Sequence, residues 1–347
     1  MCSSNGCIFA LTGQILFSGQ VEMSEIQIEL IQTLQTEVAL LEGPMKVFSI
    51  LGHPGFFLLA IIFLYWCLKP RLGLRLALLM GMTLGLNLAL KVAFHLPRPY
   101  WVSQDLRVLE SSQSFGFPSA HAQGSATFWG LIAMDARRRW FSIFAVAMVV
   151  LIGVSRVYLG VHFPVDVLAG WAIGAAVLFG FLLLEGPVGR WIVAMPLYRQ
   201  VFAAFAGSVA LFIPSLLAII AIGDWQVPIS WTAGALETSG VPIDPLSLHE
   251  AVMTSGFFFG FAAGAAVLRR HEWMPTARNG FWVCLFCFII GLVVAGAIYY
   301  GFGLLVPPDF LPAAYLQAAA VAVWVSWGAP ILFSWLTRGV GDRGIEM

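Results

Sequence analysis

The sequence predicts an all-α fold, a polytopic membrane helical bundle of about nine transmembrane helices. Composition is the first reason: 60% of the 347 residues are hydrophobic and 10% are charged, against roughly 25% charged in soluble domains. The second is the recurrence of apolar runs near residues 45–68, 74–96, 119–135, 140–158, 164–185, 201–223, 251–268, 281–306 and 313–337. Each approaches the roughly 20 residues that a helix needs to cross a bilayer. The third is charge placement, which sorts by connection once nine spans are drawn.

Before the first span, residues 1–44 read as an extracytoplasmic N-terminal segment. Residues 1–18 are apolar but lack a basic leader, which argues against a cleaved signal peptide. Over 22–42, Glu22, Glu25, Glu29, Glu37 and Glu42 interleave with Ile26, Ile28, Leu30, Ile31, Leu34, Val38 and Leu41 at a partly helical spacing. Two readings stand there, an amphipathic helix at the outer membrane surface and a solvated leader.

Residues 45–186 form the expected core of the protein and hold every motif. The third run is short and carries Ser119, His121 and Gln123, so it has the weakest hydropathic signal. At Glu185 to Arg199, Gly186, Pro187, Gly189 and Pro196 punctuate a basic connection, read as an organisational break. Residues 187–347 then add transmembrane helices without motif. In that half Gly256, Gly260 and Gly264, four apart, predict close helix packing. Cys284 and Cys287 form a C-x-x-C inside an apolar span with no matching pair, which favours packing over metal binding.

One set of connections holds Lys69, Arg71, Arg75, Arg137 to Arg139, Arg190, Arg199, Arg269, Arg270, Arg278, Arg338 and Arg343, 13 of the 18 basic residues. The opposite set holds Lys46, Lys91, Arg98, Arg107 and Arg156. The positive-inside rule makes the first set cytoplasmic, the C-terminus with it. The expected location is a plasma or inner membrane, with the motifs facing outward.

Those motifs are Lys91 to Pro99 (KVAFHLPRP), Phe117 to His121 (FPSAH) and Ser155 to Asp166 (SRVYLGVHFPVD). All lie at the ends of apolar runs, and in a nine-span bundle all four helix ends meet one membrane face. Charges there need a reason, because an ionisable side chain near the centre of a membrane helix costs about 2.5–3.5 kcal/mol on insertion scales. A bound phosphate supplies one.

In order and spacing the three blocks resemble the signature of the type 2 phosphatidic acid phosphatase superfamily, which includes glucose-6-phosphatase and the vanadium haloperoxidases. The resemblance covers roughly residues 45–186, and departs at Pro118-Ser119-Ala120-His121, where the family has Pro-Ser-Gly-His. It implies first-motif cations and a third-motif arginine as phosphate ligands, the second-motif histidine as acid and the third-motif histidine as nucleophile.

The residues support the same roles. Lys91, Arg98 and Arg156 would meet the equatorial oxygens of a transferring phosphoryl group, with Pro97 and Pro99 breaking the helix around Arg98. Pro118 would start a helix whose first N–H groups, with Ser119 and Ala120, face the anion. His162 is the expected nucleophile, forming a phosphohistidine, and Asp166 would orient its ring. His121 would protonate the leaving oxygen and then activate water. The one carboxylate in the motifs is committed to His162, so no metal and no other cofactor is expected.

His53, His95, His249 and His271 match no motif position and read as interfacial or structural. Asp105, Arg107, Glu110 and Gln113 lie in the loop between the first two motifs and read as a solvated loop or as one that substrate headgroups pass, and Tyr100 and Trp101 as interface aromatics. The expected activity is hydrolysis of a phosphate monoester or diphosphate, a lipid phosphate or polyprenyl diphosphate above all. A sugar-phosphate phosphatase of the glucose-6-phosphatase type and a non-catalytic lipid-binding or transport protein are the alternatives. The expected partners are membrane lipids and a phosphorylated lipid or small molecule, with no nucleic acid.

Overall fold

The computed structural model describes residues 25–271, 280–305, 307 and 310–337. Expectations for residues 1–24, Cys2, Cys7 and Glu22 among them, and for Arg278, Arg338 and Arg343 lie outside the described residues. Among the described residues there are helices and no strands.

Helix α1 spans residues 25–37. There follow α2 (Glu42–Leu51), α3 (Pro54–Phe63), α4 (Pro70–Phe94), the short α5 (Pro99–Val102), α6 (Ala120–Ala136), α7 (Arg139–Tyr158), α8 (Pro164–Ala194) and α9 (Leu197–Ile222). The second half continues with α10 (Ile229–Ser239), α11 (His249–Leu268), α12 (Phe281–Leu305), α13 (Leu311–Val323) and α14 (Ala329–Thr337). Among the described residues seven helical stretches are long and apolar enough to cross a membrane, or eight if the bent pair Ala39–Leu51 and Pro54–Leu68 is one span. The ninth expected span is α6, whose 17 residues and buried Gln123, Ser125 and Thr127 leave it short and polar. It is packed on α7, α8 and α4, so its polar groups meet protein.

Local chemistry sets the ends of the motif-bearing helices. Pro70 sits in the first turn of α4, and His95 ends it in the left-handed conformation (φ 40°), ahead of Pro97 and Pro99. Ser119 caps α6, its side chain accepting from the Ala122 N–H at 3.5 Å. Pro118, expected to start this helix, lies one residue before the cap. Pro164 opens α8, where a missing N–H leaves no bond unmade.

α8 does not break at residue 185. It stays helical through Gly186, Pro187 and Gly189 to Ala194, so within the expected Glu185 to Arg199 window the break falls at Met195 and Pro196. Long membrane helices tolerate such residues because freed backbone groups find partners nearby.

The two halves share one core. Trp66 donates to Val325 O at 2.7 Å and Tyr65 to Ser326 O at 2.9 Å, joining the end of α3 to the turn between α13 and α14. Leu76, Leu79, Leu131, Phe261 and Phe333 are buried around them. Gly256 and Gly260 of α11 abut the backbone of Tyr315 and Ala319 on α13, with no room for a side chain. At the end of the bundle away from the motifs, Arg75 forks onto Glu185 through two 2.7 Å bonds and Lys69 meets Asp135 at 2.9 Å, tying α4 to α8 and α6.

Helix α1 docks on protein. Gln35 donates to Arg107 O at 3.0 Å and to Tyr158 O at 2.9 Å, and Ile31 is buried with Leu106, Val157 and Phe163. A solvated leader does not describe residues 25–37, because one face of the helix is closed over the motif-bearing ends of α7 and α8.

Candidate active site

Four helix ends and one loop build the site. Lys91, in the last turn of α4, is buried and donates to Phe115 O and, at 3.4 Å, to Gly116 O. Past the end of α4, Arg98 is also buried and spreads its fork over the same loop. Its Nε donates to Ser114 O at 2.7 Å, and Nη2 to Ser112 Oγ at 3.0 Å, Ser114 Oγ at 3.1 Å and Phe115 O at 3.2 Å. Nη1 donates to Val161 O at 2.9 Å and lies 3.2 Å from His162 Nε2.

That last contact assigns the imidazole tautomer. A guanidinium has no acceptor, so Nε2 is the unprotonated nitrogen and Nδ1 carries the hydrogen, which points at Asp166 Oδ2 3.3 Å away. The same Oδ2 accepts the Phe163 N–H at 2.9 Å. One carboxylate thus caps α8 and orients the ring of His162. Burial, then the positive charges of Arg98, Lys91 and Arg156, hold His162 well below the ordinary histidine range, which keeps Nε2 free of a proton.

The second block is fastened to the third. Ser119 N–H donates to the backbone oxygen of Asp166 at 3.0 Å. A side chain at Gly170 would meet Ser119 O at 2.7 Å, and one at Gly174 would meet Ala126 Cβ at 2.9 Å, so α8 lies against the opening turns of α6 through these glycines. Below them Asn87 donates to Pro118 O at 3.2 Å and to Gln123 Oε1 at 2.8 Å, supporting the turn from α4. Ala120 opens α6, and the non-glycine residues with positive φ among those described are His95 and Arg137. Ala120 therefore needs no glycine-like backbone.

Arg156, in the last turn of α7, does not reach Arg98 or His162 by a hydrogen bond. Its Nη1 donates to Ser49 Oγ and, at 2.7 Å, to Glu110 Oε2. Ser155 turns back to Ile152 O at 2.6 Å. His121 lies in the first turn of α6 with its ring 6.0 Å from that of His53. Two buried polar atoms here lack a hydrogen-bond partner, His121 Nε2 and Arg156 Nε. Buried polar groups are nearly always paired, so a site with two such atoms beside three cations suits an anion bearing several oxygens. Among the described residues no group of three or more His, Cys, Asp or Glu stands together to hold a metal ion.

Several contributors escaped the sequence reading. Tyr100 is fully buried rather than interfacial: its hydroxyl donates to Ser112 O at 2.8 Å and accepts from Ser112 N at 3.0 Å, fixing the loop that Arg98 holds. Glu110 is an ion-pair partner rather than a solvated loop residue. Ser49, Ser112 and Ser114 carry no signal in sequence, since a lone serine near an apolar run is ordinary. From the motif-free half, α10 closes over α5: Thr238 donates to Tyr100 O at 3.2 Å, and a side chain at Gly234 would meet Trp101 O at 2.5 Å.

Known proteins carry the same pattern. The family model described as PAP2 superfamily matches residues 72–189, and that described as PAP2 superfamily phosphatase, transmembrane extension, matches 252–341. A phosphatidylglycerophosphatase B of Bacillus subtilis is 37% identical over 94 residues, 24% of this chain and 45% of that protein. An undecaprenyl-diphosphatase of Sulfolobus acidocaldarius is 32% identical over 96 residues, 27% of this chain and 46% of that protein. A lipid A 4'-phosphatase of Bacteroides thetaiotaomicron is 43% identical over 60 residues, 17% of this chain and 27% of that protein. The chain thus spans less than half the length of these relatives. A solved transmembrane PAP2 type phosphatidylglycerolphosphate phosphatase from Bacillus subtilis is 26% identical, with a TM-score of 0.42 over 52% of this chain and 92% of that one.

Proposed function

This chain belongs to the PAP2 superfamily, and on that premise we propose that it is a membrane phosphatase hydrolysing a phosphate monoester or diphosphate of a lipid at the extracytoplasmic face. The observation that carries the reading is the pairing of Arg98 with His162 Nε2 at 3.2 Å, opposite an Nδ1–H held by Asp166. A neutral imidazole and a cation fit to receive phosphate already stand side by side.

The chemistry follows in two displacements. Substrate phosphate takes Arg98, Lys91 and Arg156, the last through its free Nε and through the Nη1 that Glu110 holds in its absence, and the α6 N-terminus at Ser119 and Ala120 adds N–H donors. Nε2 of His162 attacks phosphorus, forming an N–P bond while the bond to the leaving oxygen breaks. The leaving oxygen keeps that electron pair and takes a proton from His121. Asp166 stabilises the positive charge that grows on the His162 ring. Water then attacks the phosphohistidine, His121 takes its proton, inorganic phosphate leaves and His162 returns to its first state. Three protein cations supply the charge compensation that phosphoryl transfer needs, so the reaction proceeds without a divalent metal.

Lipid is favoured over sugar phosphate because the matched relatives are named for lipid and polyprenyl substrates, and because the site is built at the ends of helices apolar enough to cross a membrane. The intact His121, His162 and Asp166 weigh against a binding or transport protein, which needs cations but neither an acid nor a nucleophile. The test is hydrolysis by the purified chain of lipid phosphates, prenyl diphosphates and sugar phosphates in excess EDTA. Turnover of lipid substrates is expected. Turnover of sugar phosphates alone, of none, or only with added divalent ion would overturn the reading.

A further inference from the structure

Arg156 already holds an anion. Its Nη1 donates to Glu110 Oε2 at 2.7 Å and to Ser49 Oγ, and Ser49 Oγ donates to the same carboxylate oxygen at 2.6 Å. Burial by itself would push the Glu110 carboxyl up, but the Arg156 charge and the bonds from Arg156 and Ser49 outweigh it and hold the group below the usual carboxylate range. Glu110 therefore sits ionised on a guanidinium whose own side chain is 2% exposed.

Glu110 and Ser49 also line a cleft of about 560 Å³ with Lys46, Ile50, His53, Phe56 and Leu59. It lies along α2 and α3, where the chain bends by 54°. His53 caps α3 by accepting the Gly55 N–H at 3.1 Å, and its ring approaches that of His121, the proton donor of the proposed reaction. A leaving group protonated by His121 would thus depart into this cleft. The one lysine on its rim, Lys46, is half exposed and already carries Glu42 at 2.7 Å as a counter-charge.

We propose that Glu110 is a specificity-determining residue, an internal anion that a substrate phosphate must displace from Arg156 and that then faces the departing group. The inference rests on the phosphatase reading and narrows its substrate class to monoesters with an uncharged alcohol as leaving group. A diphosphate brings a further negative charge, on its leaving phosphate, to the carboxylate that has just lost its partner. Like charges forced together are a device for rejecting a wrong ligand rather than for binding the right one.

The test compares wild type with Glu110→Gln, which keeps the shape and an acceptor for Arg156 but removes the charge. Orthovanadate affinity is measured by calorimetry, and kcat/KM is measured for a prenyl monophosphate and the matching prenyl diphosphate. Wild type should favour the monophosphate. The variant should bind vanadate about two- to fivefold more tightly, the size of a partly exposed ion pair, and its diphosphate-to-monophosphate ratio should rise. Weaker or unchanged vanadate binding, or an unchanged ratio, overturns the proposal, as does a wild type that prefers the diphosphate should the variant fail to fold. A wild type that binds no vanadate and turns over neither substrate sinks the phosphatase reading instead.

Discussion

Arg98 Nη1 stands 3.2 Å from His162 Nε2, so the nitrogen assigned to attack is guarded by a cation assigned to the phosphate. In the proposed mechanism substrate binding swaps this contact for bonds from Arg98 to phosphate oxygens, which would release the lone pair only when its target is present.

Replacing His162 by alanine should therefore abolish turnover, because no neighbouring side chain offers a second nucleophile held by Asp166. Orthovanadate should still bind, since Arg98 loses one contact and keeps those to Ser112, Ser114, Phe115 and Val161. Trapping of a phosphorylated protein with labelled substrate should succeed in wild type and fail in the variant. More than a few per cent of residual activity would remove His162 from its role.

His121→Ala should separate substrates by leaving group. An alkoxide needs its proton, so alkyl phosphates should lose about 10²–10⁴-fold in kcat/KM, the usual worth of a general acid. A nitrophenolate leaves without help, and nitrophenyl phosphate should lose far less. Equal losses on both would contradict the assignment.

Close packing of α8 on α6 should matter to catalysis as much as any polar contact. Gly170→Val would drive its side chain into Ser119 O and Ala122 Cβ, which lie 2.7 and 2.9 Å from the first added carbon. Overpacking of this kind costs roughly 1–3 kcal/mol, and relief requires moving the turn that carries Ser119 and His121. Loss of activity and a lower melting temperature are expected. Gly180→Val, on the same helix with no atom within 4 Å of the added carbon, should change neither; matching losses at both positions would mean that valine harms α8 itself.

Sidedness is testable with single cysteines in a background freed of Cys2 and Cys7. Ser111 is exposed on the loop between the first two motifs, and Arg138 is exposed between α6 and α7. A cysteine at 111 should react with an impermeant thiol reagent on intact cells, and one at 138 only after permeabilisation. The reverse pattern would turn the mouth of the site toward the cytoplasm.

Much of the architecture was legible in the sequence because its determinants are local. Hydropathy over 20-residue windows marks spans, proline and serine mark helix starts at Ser119 and Pro164, and the four-residue step from His162 to Asp166 puts both groups on one side of a helix start. Where local signals crowd together the sequence is less sharp: Gly186, Pro187, Gly189 and Pro196 all look like a break, yet α8 runs through the first three to Ala194 and stops only before Pro196.

By itself, then, the sequence determined a helical membrane bundle, the three motif blocks and the residue types of the site. Only the tertiary structure decided their partners: Glu110 on Arg156, Tyr100 on the Arg98 loop, Gln35 of α1 on Tyr158, and α10 on Trp101. These pairs are separated by 46, 12, 123 and more than a hundred residues. A hydrogen bond or an ion pair depends on separation in space, and a carboxylate in a loop carries no mark of the guanidinium it will meet. Burial then makes that meeting matter, because an unpaired charge inside the bundle is far more costly than one in water.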